Sequence, residues 1–172
     1  MSATPFSLPE AGPCAVDGRE EAATARLQLL EAARYKLAIH LPTLPADILS
    51  SPAELAELRR IAISGRGAEI RLILGDPAAT LRMGHRLIDL AQRLPTAFQI
   101  RMPDQDDDAI DPASTRAWLL NDTQGYLFQP NAERPEGRAA LRDGPGQAPL
   151  MLQFEQMWER TTPATQLQPL GL

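Results

Sequence analysis

The sequence is poor in residues that hold metals or form covalent intermediates. Its 172 residues include one cysteine, Cys14, two histidines, His40 and His85, and one lysine, Lys36. A single cysteine excludes an intrachain disulfide, and this usage fits a reducing cytoplasm. Structural zinc draws mainly on several cysteine or histidine ligands, and the three available here are far apart in the sequence. We therefore expect no disulfide, no metal site and no cofactor.

Long apolar runs and excess positive charge are also missing. No window approaches the roughly 20 apolar residues that a membrane-spanning helix needs, and the N-terminus lacks the basic and then apolar segments of a secretion signal. The net charge is -5 and the pI is near 5.1, which disfavours broad electrostatic attraction to nucleic acid. These absences predict a cytoplasmic protein without membrane contact and disfavour nucleic acid as a partner.

The clearest element is the nearly continuous apolar run at 70–74. A short run of this kind between turn signals is typical of a parallel strand that is buried on both faces. Gly65 and Gly67 close the helical pattern before it. After it, Asp76 and Pro77 predict a helix that begins with a capping side chain and a proline in its first position.

Other segments carry similar signals. Ser51, Pro52 and Glu54 form a capping box, which predicts a helix that ends at Gly65. We predict the remaining elements in this order: a helix at 19–34, a strand at 36–41, a helix from 77 to about 94, a strand at 98–102, a hairpin at 116–128 with its turn at 121–125, and a helix at 150–160.

These elements divide the chain into three parts. Residues 1–16 are rich in proline and small side chains, which predicts a disordered leader. Residues 17–160 form one α/β domain, in which residues 130–149, with four prolines and three glycines, are predicted to be a flexible loop. Residues 161–172 are predicted to be a polar tail.

The element order resembles one half of the phospholipase D-like fold. The features that carry this resemblance are the late hairpin with Asp122 at its turn and a last helix with Phe154 and Trp158. More narrowly, the chain resembles small uncharacterised bacterial domains of that type. The resemblance implies a mixed sheet sandwiched between helices. It also implies a homodimer or another protein partner, because single halves of this fold often associate in pairs.

Active members of that superfamily carry His-x-Lys-x-x-x-x-Asp on this hairpin, followed by a Gly-Ser pair. With Asp122 in the aspartate position, the histidine falls on Thr115, the lysine on Ala117 and the Gly-Ser pair on Gln129 and Pro130. A covalent phosphohistidine mechanism would lack its nucleophile and its phosphate-binding lysine. We therefore expect no enzyme activity and interpret the chain as a non-catalytic protein-binding or regulatory module.

An alternative is a small hydrolase or phosphodiesterase that uses His40 and Asp76. These residues close two strands, and if the strands are parallel neighbours, both lie at the carboxyl edge, where open α/β folds bind ligands. A small anion at the first turn of the helix that begins at Pro77 would have to displace the Asp76 carboxylate or bind with His40 protonated, so weak binding should strengthen below about pH 6.5. His85 is a third candidate ligand. We favour the simpler interpretation, in which Asp76 caps a helix, His40 ends a strand and His85 bonds a neighbour.

A second alternative is a nucleic-acid-binding accessory protein that uses a basic stripe of Arg82, Arg86 and Arg93. Asp89 lies three residues from Arg86 and four from Arg93, which favours intrahelical ion pairs on a solvated face. The acidic segment at 104–111 lacks the glycine and the closing glutamate of an EF-hand, so we predict a solvated loop.

Overall fold

The structure, a computed structural model, describes residues 4–104 and 115–167. Its strands are β1 (Pro13–Val16), β2 (Lys36–Leu41), β3 (Glu69–Leu74), β4 (Phe98–Pro103), β5 (Ala117–Asn121), β6 (Tyr126–Gln129), β7 (Gly137–Ala140) and β8 (Thr161–Pro163). Its helices are α1 (Arg19–Ala32), α2 (Pro52–Ala62), α3 (Pro77–Met83), α4 (Arg86–Arg93) and α5 (Gly144–Glu159), followed by a short 3-10 helix, Thr165–Leu167. None of these helices is long and apolar enough to cross a membrane.

The strands form one mixed sheet in the order β1-β7-β6-β5-β2-β3-β4-β8. β2, β3 and β4 run parallel in its centre. On one side of this centre, β5 pairs antiparallel with β2, and β6, β7 and β1 follow in that order, each antiparallel to its neighbour. On the other side, β8 pairs antiparallel with β4 and forms the edge. The predicted mixed sheet is thereby confirmed, and the carboxyl ends of the three parallel strands meet at one edge.

Alternate residues of the central strands serve two separate cores. In β2, Leu37 and Ile39 belong to the larger core, which also contains Leu29 of α1 and Leu58 of α2. Ala38 belongs to the smaller core, which is covered by α5. The sheet is therefore sandwiched between helices, as the α/β fold class predicts.

The capping box of α2 is formed as predicted. The Ser51 hydroxyl accepts a hydrogen bond from the Glu54 backbone N–H at 3.2 Å and donates to Glu54 Oε1 at 2.9 Å. Pro52 occupies the first turn, where its missing N–H costs nothing. These capping contacts join residues within four positions of one another, so the start of this helix could be predicted from the sequence.

The predicted helix from 77 to about 94 is wrong, because the chain forms two helices there, α3 and α4. Gly84 ends α3 in the left-handed conformation with φ 66°, which glycine adopts without a steric cost. His85 then caps α4, where its Nδ1 accepts from Leu87 N–H at 3.0 Å. The sequence interpretation predicted one continuous helix through Gly84 and so missed this break.

The segments predicted to lack structure contain regular elements. β1 lies within residues 1–16, and residues 130–149 contain β7 and the beginning of α5. Asp143 caps α5, since its Oδ1 accepts from Gly146 N–H at 3.1 Å. β8 and the 3-10 helix lie in the predicted tail, 161–172. The predicted acidic loop at 104–111 lies, apart from Asp104, outside the described residues.

Tyr126 of β6 forms a hydrogen bond to Asp143, the residue that caps α5. Its hydroxyl donates to Asp143 Oδ2 at 2.7 Å, and burial, reinforced by this hydrogen bond, raises the pKa of Tyr126 to about 12. In the unfolded chain the same phenol ionises near pH 10. The unfolded state therefore loses its proton first as the pH rises, so this contribution to stability is complete below about pH 10 and is lost towards pH 12.

We expect urea unfolding to show a decline in the free energy of unfolding between about pH 10 and pH 11 that the Tyr126→Phe variant lacks. The variant is the matched control, because it keeps the buried ring and removes only the titrating group. An equally steep decline in both proteins would contradict the assignment of this pH dependence to Tyr126.

Candidate functional site

The carboxyl edge of β2 and β3 is tightly closed. Leu41 and Leu74 pair at the ends of the two strands, and Gly75 N–H donates to the Leu41 carbonyl at 2.9 Å. A Cβ at Gly75 would lie 2.5 Å from the Pro42 carbonyl oxygen, so the close approach requires glycine. The strands are parallel neighbours, and His40 and Asp76 therefore lie at the same edge.

His40 is an interior residue of the α5 side of the sheet. Its side chain pairs across the strands with Trp118 of β5, and the two ring centroids lie 4.8 Å apart at an angle of 38°. Only 2% of His40 is exposed. Within the described part of the chain, the buried Trp118 Nε1–H has no hydrogen-bond acceptor.

Asp76 and His85 make the structural contacts that the simpler interpretation predicts. Asp76 Oδ1 accepts from Ala79 N–H at 3.1 Å and so caps α3. His85 is buried, and its Nε2 lies 3.0 Å from the Pro45 carbonyl. Because Nδ1 accepts from Leu87 N–H, Nε2 carries the proton and donates. Both ring nitrogens are thus engaged. Ligand binding by His40, Asp76 and His85 stays a prediction.

The basic stripe is divided between two helices. Arg82 lies near the end of α3, whereas Arg86 and Arg93 lie on α4, and all three are exposed. No ion pair joins Asp89 to Arg86 or Arg93 within residues 4–104 and 115–167. The predicted intrahelical ion pairs are therefore wrong, and these guanidinium groups face solvent.

The hairpin is present, and its turn aspartate has a structural role. Asp122 Oδ1 accepts from Arg34 N–H at 2.8 Å, and its Oδ2 accepts from Tyr35 N–H at 2.9 Å. These two hydrogen bonds connect the turn between β5 and β6 with the segment between α1 and β2. At the two positions that the resemblance assigns to catalysis, Thr115 is exposed and Ala117 is buried.

The sequence interpretation missed a buried ion pair. Arg26 of α1 is 7% exposed and Glu54 of α2 is 5% exposed, and Arg26 Nε lies 2.9 Å from Glu54 Oε2. The same oxygen also accepts from Leu49 N–H at 3.2 Å. The available signal was an arginine on the apolar face of α1, since a buried charge requires a partner.

The other face of the sheet carries a second ionic cluster, centred on Arg71 of β3. Its terminal nitrogens donate to both Glu155 carboxylate oxygens, at 2.9 and 2.5 Å, and this bond lowers the pKa of Glu155. The guanidinium also lies 5.0 Å from the Phe154 ring centroid and 5.4 Å from that of Trp158. Bidentate bonding and stacking together hold α5 against β3.

The outer side of α5 is partly apolar. Leu152 is 61% exposed, whereas Met151 and Trp158 are half-buried and pack against the smaller core. α5 is the one helix that covers this face in the described part of the chain. In that same part, no group of three or more histidine, cysteine or acidic side chains is arranged to hold a metal ion.

Solved structures show where this fold occurs. The archaeal chromatin protein TrmBL2, described as having a novel mode of DNA binding, is similar with a TM-score of 0.61 and 16% identity, over 90% of this chain and 55% of that chain. Nuc from Salmonella typhimurium, a phospholipase D family member, gives a TM-score of 0.58 and 10% identity, over 88% of this chain and 98% of that chain. Phosphatidylserine synthase from Haemophilus influenzae Rd KW20 gives a TM-score of 0.60 and 17% identity, over 96% of this chain and 43% of that chain.

At these identities the likeness concerns the fold, and the predicted phospholipase D-like fold is confirmed. The chain spans about half of the length of TrmBL2. A comparison with the curated proteins gave no match. The profile of one family matches residues 18–170, which is most of the chain. The chain therefore belongs to the family described as domain of unknown function DUF7931.

Proposed function

We propose that this chain is a non-catalytic phospholipase D-like domain that acts by binding a protein, and that its partner is a second copy of itself. One observation carries the proposal. The side chains with suitable chemistry at the carboxyl edge are engaged in structural contacts: His40 is buried against Trp118, Asp76 caps α3 and His85 caps α4. Such groups are poorly placed to meet a substrate.

The outer side of α5 is the surface that we propose for pairing. Leu152 is a large apolar side chain exposed on this helix, and such a side chain can serve as the apolar anchor of a protein interface. The part of the similar structures that this chain matches is nearly the whole of Nuc but under half of phosphatidylserine synthase. The same unit therefore occurs alone and within a longer chain.

We expect Leu152→Asp to weaken self-association by about tenfold or more, because it places a charge in the apolar centre of the interface. Light scattering coupled to a sizing column, across micromolar concentrations, measures this. Ile63→Asp is the matched control, since Ile63 is 60% exposed at the end of α2 and lies away from α5. A wild-type protein that stays monomeric throughout, or equal effects of both variants, would refute pairing through α5.

The hydrolase that uses His40 and Asp76 remains the competing hypothesis. A screen of phosphodiester substrates tests it, and our proposal expects no turnover above background. Turnover that His40→Ala abolishes would instead establish the enzyme. The predicted anion site at this edge is tested separately by chemical-shift titration with phosphate on either side of about pH 6.5.

Nucleic-acid binding is a second candidate function, favoured by one structural neighbour that is a DNA-binding chromatin protein. In this chain the exposed Arg82, Arg86 and Arg93 are the groups that would contact phosphates. This function requires retention of duplex DNA that weakens with salt and with the double variant Arg82→Ala, Arg86→Ala. Absence of retention at low salt would eliminate it.

A further inference from the structure

A cavity of about 310 Å³ opens on the α1 side of the sheet. Its walls are the first two turns of α1, the loop that follows β2 and the loop between β6 and β7. The charged side chains that line it are Arg19, Arg26, Asp47, Glu133 and Arg134. This volume lies at the small end of the range for small-molecule sites.

Arg26 is the fixed element of this cavity. It is nine-tenths buried, and its Nε is held by Glu54 Oε2 at 2.9 Å. Its two terminal nitrogens, Nη1 and Nη2, make no hydrogen bond within residues 4–104 and 115–167. They are not fully buried, so they reach the open space of the cavity and can donate to a ligand there. The end of Arg26 is thus oriented in advance for an oxyanion.

The charged groups of the cavity indicate which oxyanion fits. Glu54 balances the charge of Arg26, and the exposed Asp47 and Glu133 equal the exposed Arg19 and Arg134 in number. The preference for phosphate over a carboxylate therefore rests on the three guanidinium groups, whose many donors match the several oxygens of a phosphate. Asp47 and Glu133, also exposed, are acceptors, and they suit hydroxyl groups on the rest of the ligand.

We propose that this cavity binds a small molecule that carries a phosphate group and hydroxyl groups. The phosphate oxygens accept from the terminal nitrogens of Arg26 between Arg19 and Arg134, and the hydroxyl groups donate to Asp47 and Glu133. The cavity is on the opposite side of the sheet from α5. Binding here is therefore independent of the proposed self-association.

Isothermal titration of the full chain with glycerol 3-phosphate, inorganic phosphate, acetate and glycerol tests the proposal. We expect glycerol 3-phosphate to bind most tightly and inorganic phosphate more weakly, with no measurable heat from glycerol. The double variant Arg19→Ala, Arg134→Ala should lower the affinity for glycerol 3-phosphate by at least about tenfold. Arg66→Ala, an exposed arginine outside the cavity, is the control and should leave it unchanged.

The variants avoid Arg26, whose replacement would disturb the buried pair and with it the fold. Absence of binding by both phosphate compounds at millimolar concentration would overturn the proposal, as would equal affinity of the double variant and the wild type. Acetate that binds as tightly as inorganic phosphate would overturn the assignment to phosphate. Light scattering on the same double variant separates this result from self-association, which it should retain.

Discussion

Replacing Glu54 by alanine is expected to lower the free energy of unfolding by about 3 to 5 kcal/mol. The variant leaves the Arg26 guanidinium buried without its counter-charge, at a site where only 7% of the residue reaches solvent. It also removes the acceptor of Leu49 N–H and half of the capping box with Ser51. Urea unfolding monitored by circular dichroism measures the loss.

Glu57→Ala is the matched control, because Glu57 lies one turn further along α2 and also pairs with an arginine. Its partner, Arg60, is 2.6 Å away, and the two side chains are much more exposed than those of the buried pair, 43% for Arg60 and 27% for Glu57. An exposed pair contributes about 0 to 1 kcal/mol. Similar losses for the two variants would show that burial does not strengthen the dependence of Arg26 on Glu54.

The parallel centre of the sheet could be predicted because its strands are local features. β2 and β3 are short apolar runs, and β4 ends at Pro103, so the limits of all three were found within a residue. The sheet edges could not be predicted. β1 and β7 are composed largely of proline, glycine and alanine, which have little strand propensity. They form strands because they pair with each other across most of the chain.

At the candidate site, too, local features could be predicted from the sequence, whereas contacts between distant segments could not. His85 was correctly expected to bond a neighbour, and both of its ring nitrogens do so. Its role as a helix cap was missed, since nothing in the sequence required the left-handed conformation of Gly84. Arg26 carried a local signal, but its partner lies 28 residues away. Only the packing of α1 against α2 identifies Glu54 as that partner.

Phe154→Ala is expected to lower the free energy of unfolding by about 3 to 5 kcal/mol. The side chain is fully buried, and its removal leaves a cavity between α5 and the sheet. Its ring also stacks on Trp158, at 5.7 Å between centroids, and lies beneath the Arg71 guanidinium. The variant therefore loses packing together with a cation–π contact. Thermal and urea unfolding measure the loss.

Leu152→Ala controls for the change to alanine on the same helix. In the monomer that side chain is exposed, so its loss should change the stability of the monomer by no more than about 0.5 kcal/mol. The Phe154 variant also separates the two proposals. Loosening α5 should abolish self-association, whereas the folded fraction should still bind glycerol 3-phosphate, since the cavity depends on α1 and its ion pair. Joint loss of both activities while the protein remains folded would mean that the two faces of the sheet are coupled, contrary to the independence that we propose.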